Sequence, residues 1–211
     1  MKKELLELYL VMGSPNCQRD PRHILREAIE GGITFFQFRE KGFGCLVDSE
    51  KRTLARDLLS ICREHQIPFI VNDDIDLAIE IDADGVHIGQ EDEPIDSVRQ
   101  KIGKKTLGVS AHNVEEAFIA MAGGADYLGV GPMYATTTKT DIREVKGPEV
   151  IEEIRKAGIT IPLVGIGGIS LGRAETVIKA GADGVAVVSA ISQADSPRKN
   201  AKELIMEVKK S

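Results

Sequence analysis

The stretch "PLVGIGGISLGRAETVIKAGADGVAVVSA", residues 162–190, carries the clearest signature of the fold. Two apolar runs, 162–168 and 184–190, enclose a segment at 173–181 with the apolar spacing of a helix. The tripeptide "GAD" at 181–183 places Gly where a helix ends in the left-handed conformation, and it leads directly into the second run. The stretch therefore predicts a strand, a helix and a second, parallel strand.

The same unit recurs along the whole chain. Further strand candidates lie at 8–12, 35–40, 69–73, 85–89, 106–111 and 127–132, and a second "GAD" stands at 124–126. Mostly continuous apolar strands separated by helices indicate a parallel sheet covered by helices. Eight such units in 211 residues predict an α/β fold, a (β/α)₈ TIM barrel that forms a single domain over residues 1–211. An open, doubly wound sheet is the alternative.

Composition narrows the class of function. The net charge of -6 argues against a nucleic-acid or anionic-membrane binder, and 4% aromatic residues without Trp argue against a base-stacking platform. The three cysteines are widely spaced and form no metal or CxxC pattern, which indicates isolated thiols in a reducing compartment. We find no secretory signal pattern and no apolar run of about 20 residues, so we expect a cytoplasmic protein.

In such a barrel, the residues that follow each strand build the active site. The second strand ends "QFREKG", and side-chain alternation puts Gln37, Arg39 and Lys41 on one face. An inward Arg39 would need an anionic partner, because burial of an unpaired guanidinium costs several kcal/mol. The alternative is an ion pair between Arg and Glu at the barrel rim.

Acidic residues follow the third and fourth strands. Asn72 and Asp73 belong to "VNDD", at the end of the third strand, and Asp92 belongs to "GQED" after the fourth. Carboxylates converging from neighbouring strands suit a hard divalent cation such as Mg²⁺. Alternatively, Asp73 or Asp74 caps the following helix, and Asp92 caps the next one.

The fifth strand ends "GVSAH", with Ser110 and His112 on one face. No G-x-S-x-G elbow surrounds this serine, so binding through its hydroxyl is favoured over nucleophilic catalysis. His87, within "GVHIG", is interpreted as a hydrogen-bonded histidine of the core or rim rather than a ligand.

Two segments near the last three strands are suited to phosphate. "YATTTKTD", residues 134–141, offers hydroxyls and an ammonium, although a solvated loop has the same composition. "GIGG" at 165–168, followed one strand later by Ser189, fits the phosphate site that barrels often build after strands seven and eight. Glycines there also occur for packing reasons. The chain thus offers one anion site near Arg39, Lys41 and the acid pair and another at the last two strands. Two phosphorylated substrates and a metal point to group transfer from a diphosphate.

Taken together, these motifs closely resemble those of the thiamine-phosphate synthase family, in the same order over nearly the whole chain. The motifs are "QFREKG", "IVNDD", "DGVHIGQED", "GVSAH", "GVGPMYATTTKTD", "VGIGGI" and "GADGVAVVSAI". The resemblance implies that two small molecules, 4-amino-2-methyl-5-(diphosphooxymethyl)pyrimidine and 4-methyl-5-(2-phosphooxyethyl)thiazole, are joined with release of diphosphate. It also implies a dissociative reaction in which the thiazole nitrogen is the nucleophile.

The resemblance implies a role for each matching residue. The pyrimidine diphosphate would bind Gln37, Phe38, Arg39, Glu40, Lys41, Asn72, Ser110 and Lys139. The thiazole phosphate would bind Thr136, Thr137, Thr138, Gly168, Val188 and Ser189. Mg²⁺ would bind Asp73 and Asp92. Arg39, Lys41 and Lys139 would be catalytic, because they stabilise charge on the departing diphosphate.

Two alternatives stay open at this point. A related thiazole tautomerase shares the fold but needs neither metal nor a diphosphate site, and such proteins tend to lack both acid motifs. A non-catalytic protein that binds thiazole phosphate would keep the pocket without turnover. The paired acids argue against the first, and the complete set of predicted diphosphate residues argues against the second.

Overall fold

The computed structural model describes residues 1–136 and 145–210, and it confirms the predicted closed barrel. The eight parallel strands are β1 Leu8–Met12, β2 Phe35–Phe38, β3 Phe69–Asn72, β4 Gly85–Ile88, β5 Thr106–Ala111, β6 Tyr127–Val130, β7 Leu163–Ile166 and β8 Gly184–Val187. Each strand pairs with the next, and β1 pairs with β8 to close the sheet, with Tyr9 aligned to Phe35 on one side and Ala186 on the other. The open-sheet alternative is therefore wrong.

Helices follow the strands in the alternating order that the sequence predicts. They are α1 Pro21–Gly31, α2 Asp48–Glu64, α3 Ile75–Glu80, α4 Ile95–Ile102, α5 Val114–Ala122, α6 Glu149–Lys156, α7 Ala174–Lys179, α8 Ser189–Ser192 and α9 Pro197–Lys210. Two short 3₁₀ helices, Lys3–Leu6 and Ser14–Asn16, flank β1. Several of the predicted strands continue one to three residues beyond the observed strand ends. These extra residues lie in loops at the carboxyl-terminal end of the barrel, except Ser189 and Ala190, which begin α8.

The core divides into two layers because side chains alternate along each strand. In β1, Leu8, Leu10 and Met12 pack outward among the helices. Tyr9 and Val11 point inward and pack with Phe35, Ile70, Tyr127, Val164 and Ala186. The interior of the barrel is therefore a packed core that contains two phenols.

The turn between each helix and the next strand uses the left-handed conformation. Gly124 and Gly181, the glycines of the two "GAD" tripeptides, have φ of 86° and 108°. In "DADG", Asp82 takes this conformation with φ 56°, and Gly85 instead begins β4. Glycine is thus required at two of these turns, and a short polar residue replaces it at the third.

All three cysteines are free; Cys62 is buried, whereas Cys17 and Cys45 are partly exposed. Among the described residues, no helix combines the length and the apolar character that crossing a membrane requires.

Candidate active site

One cavity of about 890 Å³ lies at the carboxyl ends of the strands. Every strand contributes to its lining, through Tyr9, Gln37, Asn72, His87, Ser110, Gly129, Ile166 and Val187 in chain order. Closure of the barrel is what brings these side chains together, because they come from positions spread over most of the chain.

Most of the predicted site residues line this cavity. They are Gln37, Arg39, Lys41, Asn72, Asp73, Asp92, Ser110, Thr136, Gly168, Val188 and Ser189. Thr137, Thr138 and Lys139 lie outside the described residues. Thr136 and Val145, the described residues on either side of 137–144, both line the cavity.

The structure does not bring the side chains of Phe38 and Glu40 to the cavity. Phe38 is 1% exposed and stacks on Phe69 in the outer core, because alternation turns it away from Gln37. The Glu40 carboxylate accepts hydrogen bonds from Ser14 N and Leu46 N, each at 2.7 Å. Glu40 therefore joins the loops after β1 and β2 and does not form the rim ion pair with Arg39.

An acid pair and a lysine meet at one side of the cavity. Lys41 Nζ lies 2.8 Å from Asp73 Oδ2, and this hydrogen bond raises the pKa of Lys41. The pKa of Asp92 is also raised, chiefly by burial and further by the neighbouring carboxyl group of Asp73. Neighbouring carboxylates repel each other when both are ionised, so a cation between them would be stabilised.

Local backbone geometry decides which acids cap helices. Asp74 caps α3 through a 3.0 Å hydrogen bond from Leu77 N. Asp92 accepts from Gly89 N at 2.6 Å and does not cap α4, whose first residue follows Pro94. Asp73 has φ 60°, an uncommon conformation for a residue other than Gly. The capping alternative thus applies to Asp74, and Asp73 and Asp92 are left to face the cavity.

The serine after β5 pairs with a histidine other than His112. Ser110 Oγ lies 3.0 Å from Nε2 of His87, which is 8% exposed and also contacts Tyr127 through Nδ1 at 3.0 Å. His112 Nδ1 instead lies 2.7 Å from Glu116 Oε2. His87 is therefore the hydrogen-bonded histidine that its position in the strand predicted, and it lines the cavity as well.

The opposite side of the cavity is formed by the loop after β7 and the start of α8. Gly167 and Gly168 have φ of 103° and 64°. A Cβ at Gly168 would lie 2.7 Å from the Ala135 carbonyl oxygen, and one at Gly167 would lie 2.8 Å from Cβ of Pro132. These glycines thus permit close packing against the loop after β6, so the packing explanation applies whether or not a phosphate also binds there.

The predicted site residues do not include three tyrosines that lie in or next to this cavity. Tyr9 and Tyr134 line the cavity, and Tyr127 lies directly beneath it with 0% exposure. Tyr9 and Tyr127 occupy inward positions of β1 and β6. A phenol among inward aliphatic residues is the sequence pattern that could have identified them. Tyr134 packs under the guanidinium of Arg173, whose Cζ lies 4.8 Å from the ring centroid.

The chain is similar to known proteins over nearly its whole length. The family model described as thiamine monophosphate synthase matches residues 8–191. A thiamine-phosphate synthase of Bacillus thuringiensis (strain Al Hakam) is 56% identical over 208 residues, which cover 99% of this chain and 95% of the relative. One from Geobacillus kaustophilus (strain HTA426) is 58% identical over 196 residues, covering 93% and 89%.

A solved structure extends the agreement from sequence to fold. Thiamine phosphate pyrophosphorylase from Pyrococcus furiosus superposes with a TM-score of 0.87 at 35% identity, covering 99% of this chain and 98% of that one. With this match and the family model over residues 8–191, the chain belongs to the thiamine monophosphate synthase family.

Proposed function

We propose that this protein is a thiamine-phosphate synthase. It joins 4-amino-2-methyl-5-(diphosphooxymethyl)pyrimidine to 4-methyl-5-(2-phosphooxyethyl)thiazole and releases diphosphate. The observation that carries the proposal is the cavity itself: Arg39, Lys41 and the acid pair stand on one side, and the Gly168 loop and Ser189 on the other. A diphosphate donor and a phosphorylated acceptor can therefore occupy one space of about 890 Å³.

The donor substrate is assigned to the first side of the cavity. Arg39 and Lys41 face its diphosphate, and Asn72 adds an amide at the end of β3. Gln37 and Ser110 lie deeper, at inward strand positions that suit the hydrogen-bonding groups of the pyrimidine ring. Lys139 completes the cationic group in this proposal, on the strength of the family motif alone.

The acceptor substrate is assigned to the second side. Its phosphate binds near Gly168, Val188 and Ser189, where barrels of this kind often hold phosphate. Thr136 lines the same cavity and supplies a hydroxyl, and Thr137 and Thr138 extend this assignment along the family motif.

Asp73 and Asp92 are the residues that would hold Mg²⁺. Their fit rests on two observations: the Lys41 ammonium lies 2.8 Å from the Asp73 carboxylate, and the pKa of Asp92 is raised by burial and further by the neighbouring carboxyl group of Asp73. Mg²⁺ usually takes one or two carboxylates together with substrate phosphates and water. When bound, it neutralises charge on the diphosphate oxygens.

The residues of the chain then act by binding and by charge stabilisation. Diphosphate leaves first, and the positive charges of Arg39, Lys41 and Lys139 stabilise the negative charge that grows on its oxygens. Cleavage of the C–O bond leaves a cation at the exocyclic methylene carbon of the pyrimidine. The thiazole nitrogen attacks this carbon and forms the new C–N bond, so the protein needs no nucleophile. Apolar lining residues such as Val11, Val164 and Ile166 limit access of water to the cationic intermediate.

An assay with defined components tests this proposal. The purified chain is incubated with both substrates, with and without Mg²⁺, and thiamine phosphate and diphosphate are measured together. We expect equal amounts of both products, dependent on Mg²⁺. Absence of diphosphate with both substrates and Mg²⁺ present would exclude the proposal. Binding of the thiazole phosphate without product would then favour a non-catalytic binding protein, and its isomerisation alone would favour a tautomerase.

A further inference from the structure

A chain of buried hydrogen bonds crosses the floor of the cavity. Gln37 Nε2 donates to the Tyr9 hydroxyl at 2.5 Å, and the Tyr9 and Tyr127 hydroxyls lie 2.8 Å apart. The Tyr127 hydroxyl lies 3.0 Å from His87 Nδ1, and His87 Nε2 lies 3.0 Å from Ser110 Oγ. The two ends of this relay, Gln37 and Ser110, both line the cavity.

The backbone around the relay leaves room for it. A Cβ at Gly108 of β5 would lie 2.2 Å from Cζ of Tyr127 and 2.4 Å from Nδ1 of His87. A Cβ at Gly129 of β6 would lie 3.0 Å from Cε1 of His87. Two glycines inside neighbouring strands are therefore needed for the phenol and the imidazole to meet.

Each phenol in the relay carries one proton and can donate it once. Burial raises the pKa of both Tyr9 and Tyr127, so both hydroxyls stay neutral at physiological pH. A neutral hydroxyl has one donor and two acceptor positions. The direction of each hydrogen bond along the relay is consequently fixed once one of them is known.

The direction follows from the amide of Gln37. Its nitrogen donates to the Tyr9 hydroxyl. Tyr9, having accepted, donates to Tyr127. The Tyr127 oxygen has then accepted from Tyr9, and its own buried proton goes to the next partner in the relay, His87 Nδ1. His87 is therefore neutral with its proton on Nε2, and it donates that proton to Ser110.

We infer that Tyr127 is a positioning residue that fixes which groups donate and accept at the cavity wall. Gln37 presents its carbonyl Oε1 as an acceptor, and the Ser110 hydroxyl keeps its proton as a donor. This step rests on the proposed function for the identity of the ligand. A 4-aminopyrimidine carries an amino donor and ring-nitrogen acceptors, which match this order of groups.

The relay then discriminates against the 4-oxo form of the same pyrimidine. In that form an oxygen acceptor replaces the amino donor, and it would face Gln37 Oε1 without a proton between them. A buried polar group left unpaired in this way produces strong discrimination. A Gln37 amide turned by 180° would reverse every donor in the relay and would accept the 4-oxo form instead.

The tautomer of His87 tests the relay independently of turnover. The ¹⁵N chemical shifts of histidine-labelled protein are measured without substrate, and the His87 signals are assigned by their loss in His87→Gln. We expect a protonated Nε2 and an unprotonated Nδ1. A protonated Nδ1 would overturn the inference, even in a protein that makes thiamine phosphate. The expected tautomer in a protein that makes no product would instead count against the proposed function alone.

Two variants separate the parts of the relay. Tyr127→Phe removes the donor to Nδ1, so we expect a mixture of His87 tautomers. Tyr9→Phe, the matched control, loses the link to Gln37 but leaves His87 Nδ1 as the acceptor for the buried Tyr127 proton, so we expect the tautomer of the parent. An unchanged His87 spectrum in Tyr127→Phe would overturn the role of Tyr127.

Binding of two unreactive probes measures the consequence for specificity. The probes are 4-amino-2-methyl-5-(phosphooxymethyl)pyrimidine and its 4-oxo counterpart, tested as competitive inhibitors of the parent. We expect the parent to prefer the 4-amino probe by about 100-fold and Tyr127→Phe to lose about tenfold of that preference. Equal inhibition of the parent by both probes would refute the proposed order of donors. If Tyr127→Phe does not fold, the His87 ¹⁵N spectrum of the parent and its inhibition by the two probes still test the inference.

Discussion

Asp73 and Asp92 show how single residues of this site are held in an unfavourable arrangement. Asp73 has φ 60°, and Asp92 lies close enough to it for burial and repulsion to raise the Asp92 pKa. Both features oppose folding of the protein without ligand, and both are typical of functional sites. The surrounding barrel holds both residues in this arrangement, which is consistent with the proposed Mg²⁺ site.

Asp92→Asn is expected to stabilise the metal-free protein while reducing its activity. A carboxyl group whose pKa is raised in the folded state opposes folding when it is ionised. This penalty is present at neutral pH and disappears as the pH falls through the folded-state pKa. Asn keeps an oxygen that can accept the hydrogen bond from Gly89 N. Denaturant unfolding at neutral pH should show a higher midpoint, and turnover with Mg²⁺ should fall about 100-fold.

Asp96→Asn is the control for this charge change. Asp96 is exposed in the first turn of α4, where a negative charge is favourable to the helix, so its removal should slightly lower the midpoint. An Asp92→Asn protein less stable than the parent would contradict the account of repulsion.

Lys139→Ala is expected to slow turnover by about 100-fold, which corresponds to roughly 3 kcal/mol of lost transition-state stabilisation. The reason is its place in the proposed cationic group that faces the departing diphosphate. Lys146→Ala removes an exposed positive charge seven positions later and should leave kcat within about twofold. Steady-state kinetics with both substrates compares the two variants. Turnover of Lys139→Ala within a few-fold of the parent would remove Lys139 from the proposed site.

At the scale of elements, the aspartates of the two "GAD" turns make the same contacts with the neighbouring strand and helix. Asp126 accepts from Leu107 N at 2.8 Å, and Asp183 accepts from Leu163 N at 2.9 Å. Each aspartate also pairs with an arginine of the helix one unit earlier in the chain, Asp126 with Arg99 of α4 at 2.8 Å and Asp183 with Arg155 of α6 at 2.6 Å. Each arginine also bonds backbone carbonyl groups in the same region. Helix, turn and two strands are thus locked together at the amino-terminal end of the barrel.

Asp183→Ala is expected to destabilise the protein by about 3 kcal/mol, because it leaves Arg155 and the Leu163 amide without their shared acceptor. The two side chains of this pair are only 21% and 11% exposed, so water replaces the lost contacts poorly. Equilibrium unfolding in urea measures the change.

Glu152→Ala on the same helix α6 is the matched control. Its ion pair with Lys156 is exposed, with side chains 50% and 76% accessible, so its loss should cost less than about 1 kcal/mol. Equal losses in the two variants would show that the partly buried pair of Asp183 and Arg155 has no special role in holding the units together.

At the scale of the whole molecule, the sequence predicts the barrel better than it predicts the site. The eight strands follow from apolar runs and turn glycines, and alternation correctly separates Gln37 from Phe38. The contact between Tyr9 and Tyr127 spans 118 positions, and it depends on closure and register, which local patterns do not specify. Glu40 resembles a site residue by its place after β2, but its partners lie in the loops at Ser14 and Leu46.

The closed barrel also separates stability from chemistry along its axis. Leu6, which precedes β1, is fully buried among the inward side chains at the amino-terminal end. The first residue of β8, Gly184, packs directly against the Leu6 backbone, and a Cβ there would lie 1.8 Å from the Leu6 carbonyl oxygen. The cavity opens at the other end of the strands, so this contact closes the barrel without touching the proposed site.

Leu6→Ala should therefore change stability and leave catalysis intact. Truncation of a fully buried leucine costs about 3 kcal/mol, because it removes apolar burial and leaves a void in the packed interior. Met206→Ala on α9, where the side chain is 46% exposed, should cost less than about 1 kcal/mol.

Urea unfolding measures both variants, and kcat and KM are compared at a temperature where both are folded. We expect less than about a twofold change in either constant, since Leu6 lies at the opposite end from the cavity. A large loss of kcat in folded Leu6→Ala would mean that the two ends of the barrel are coupled.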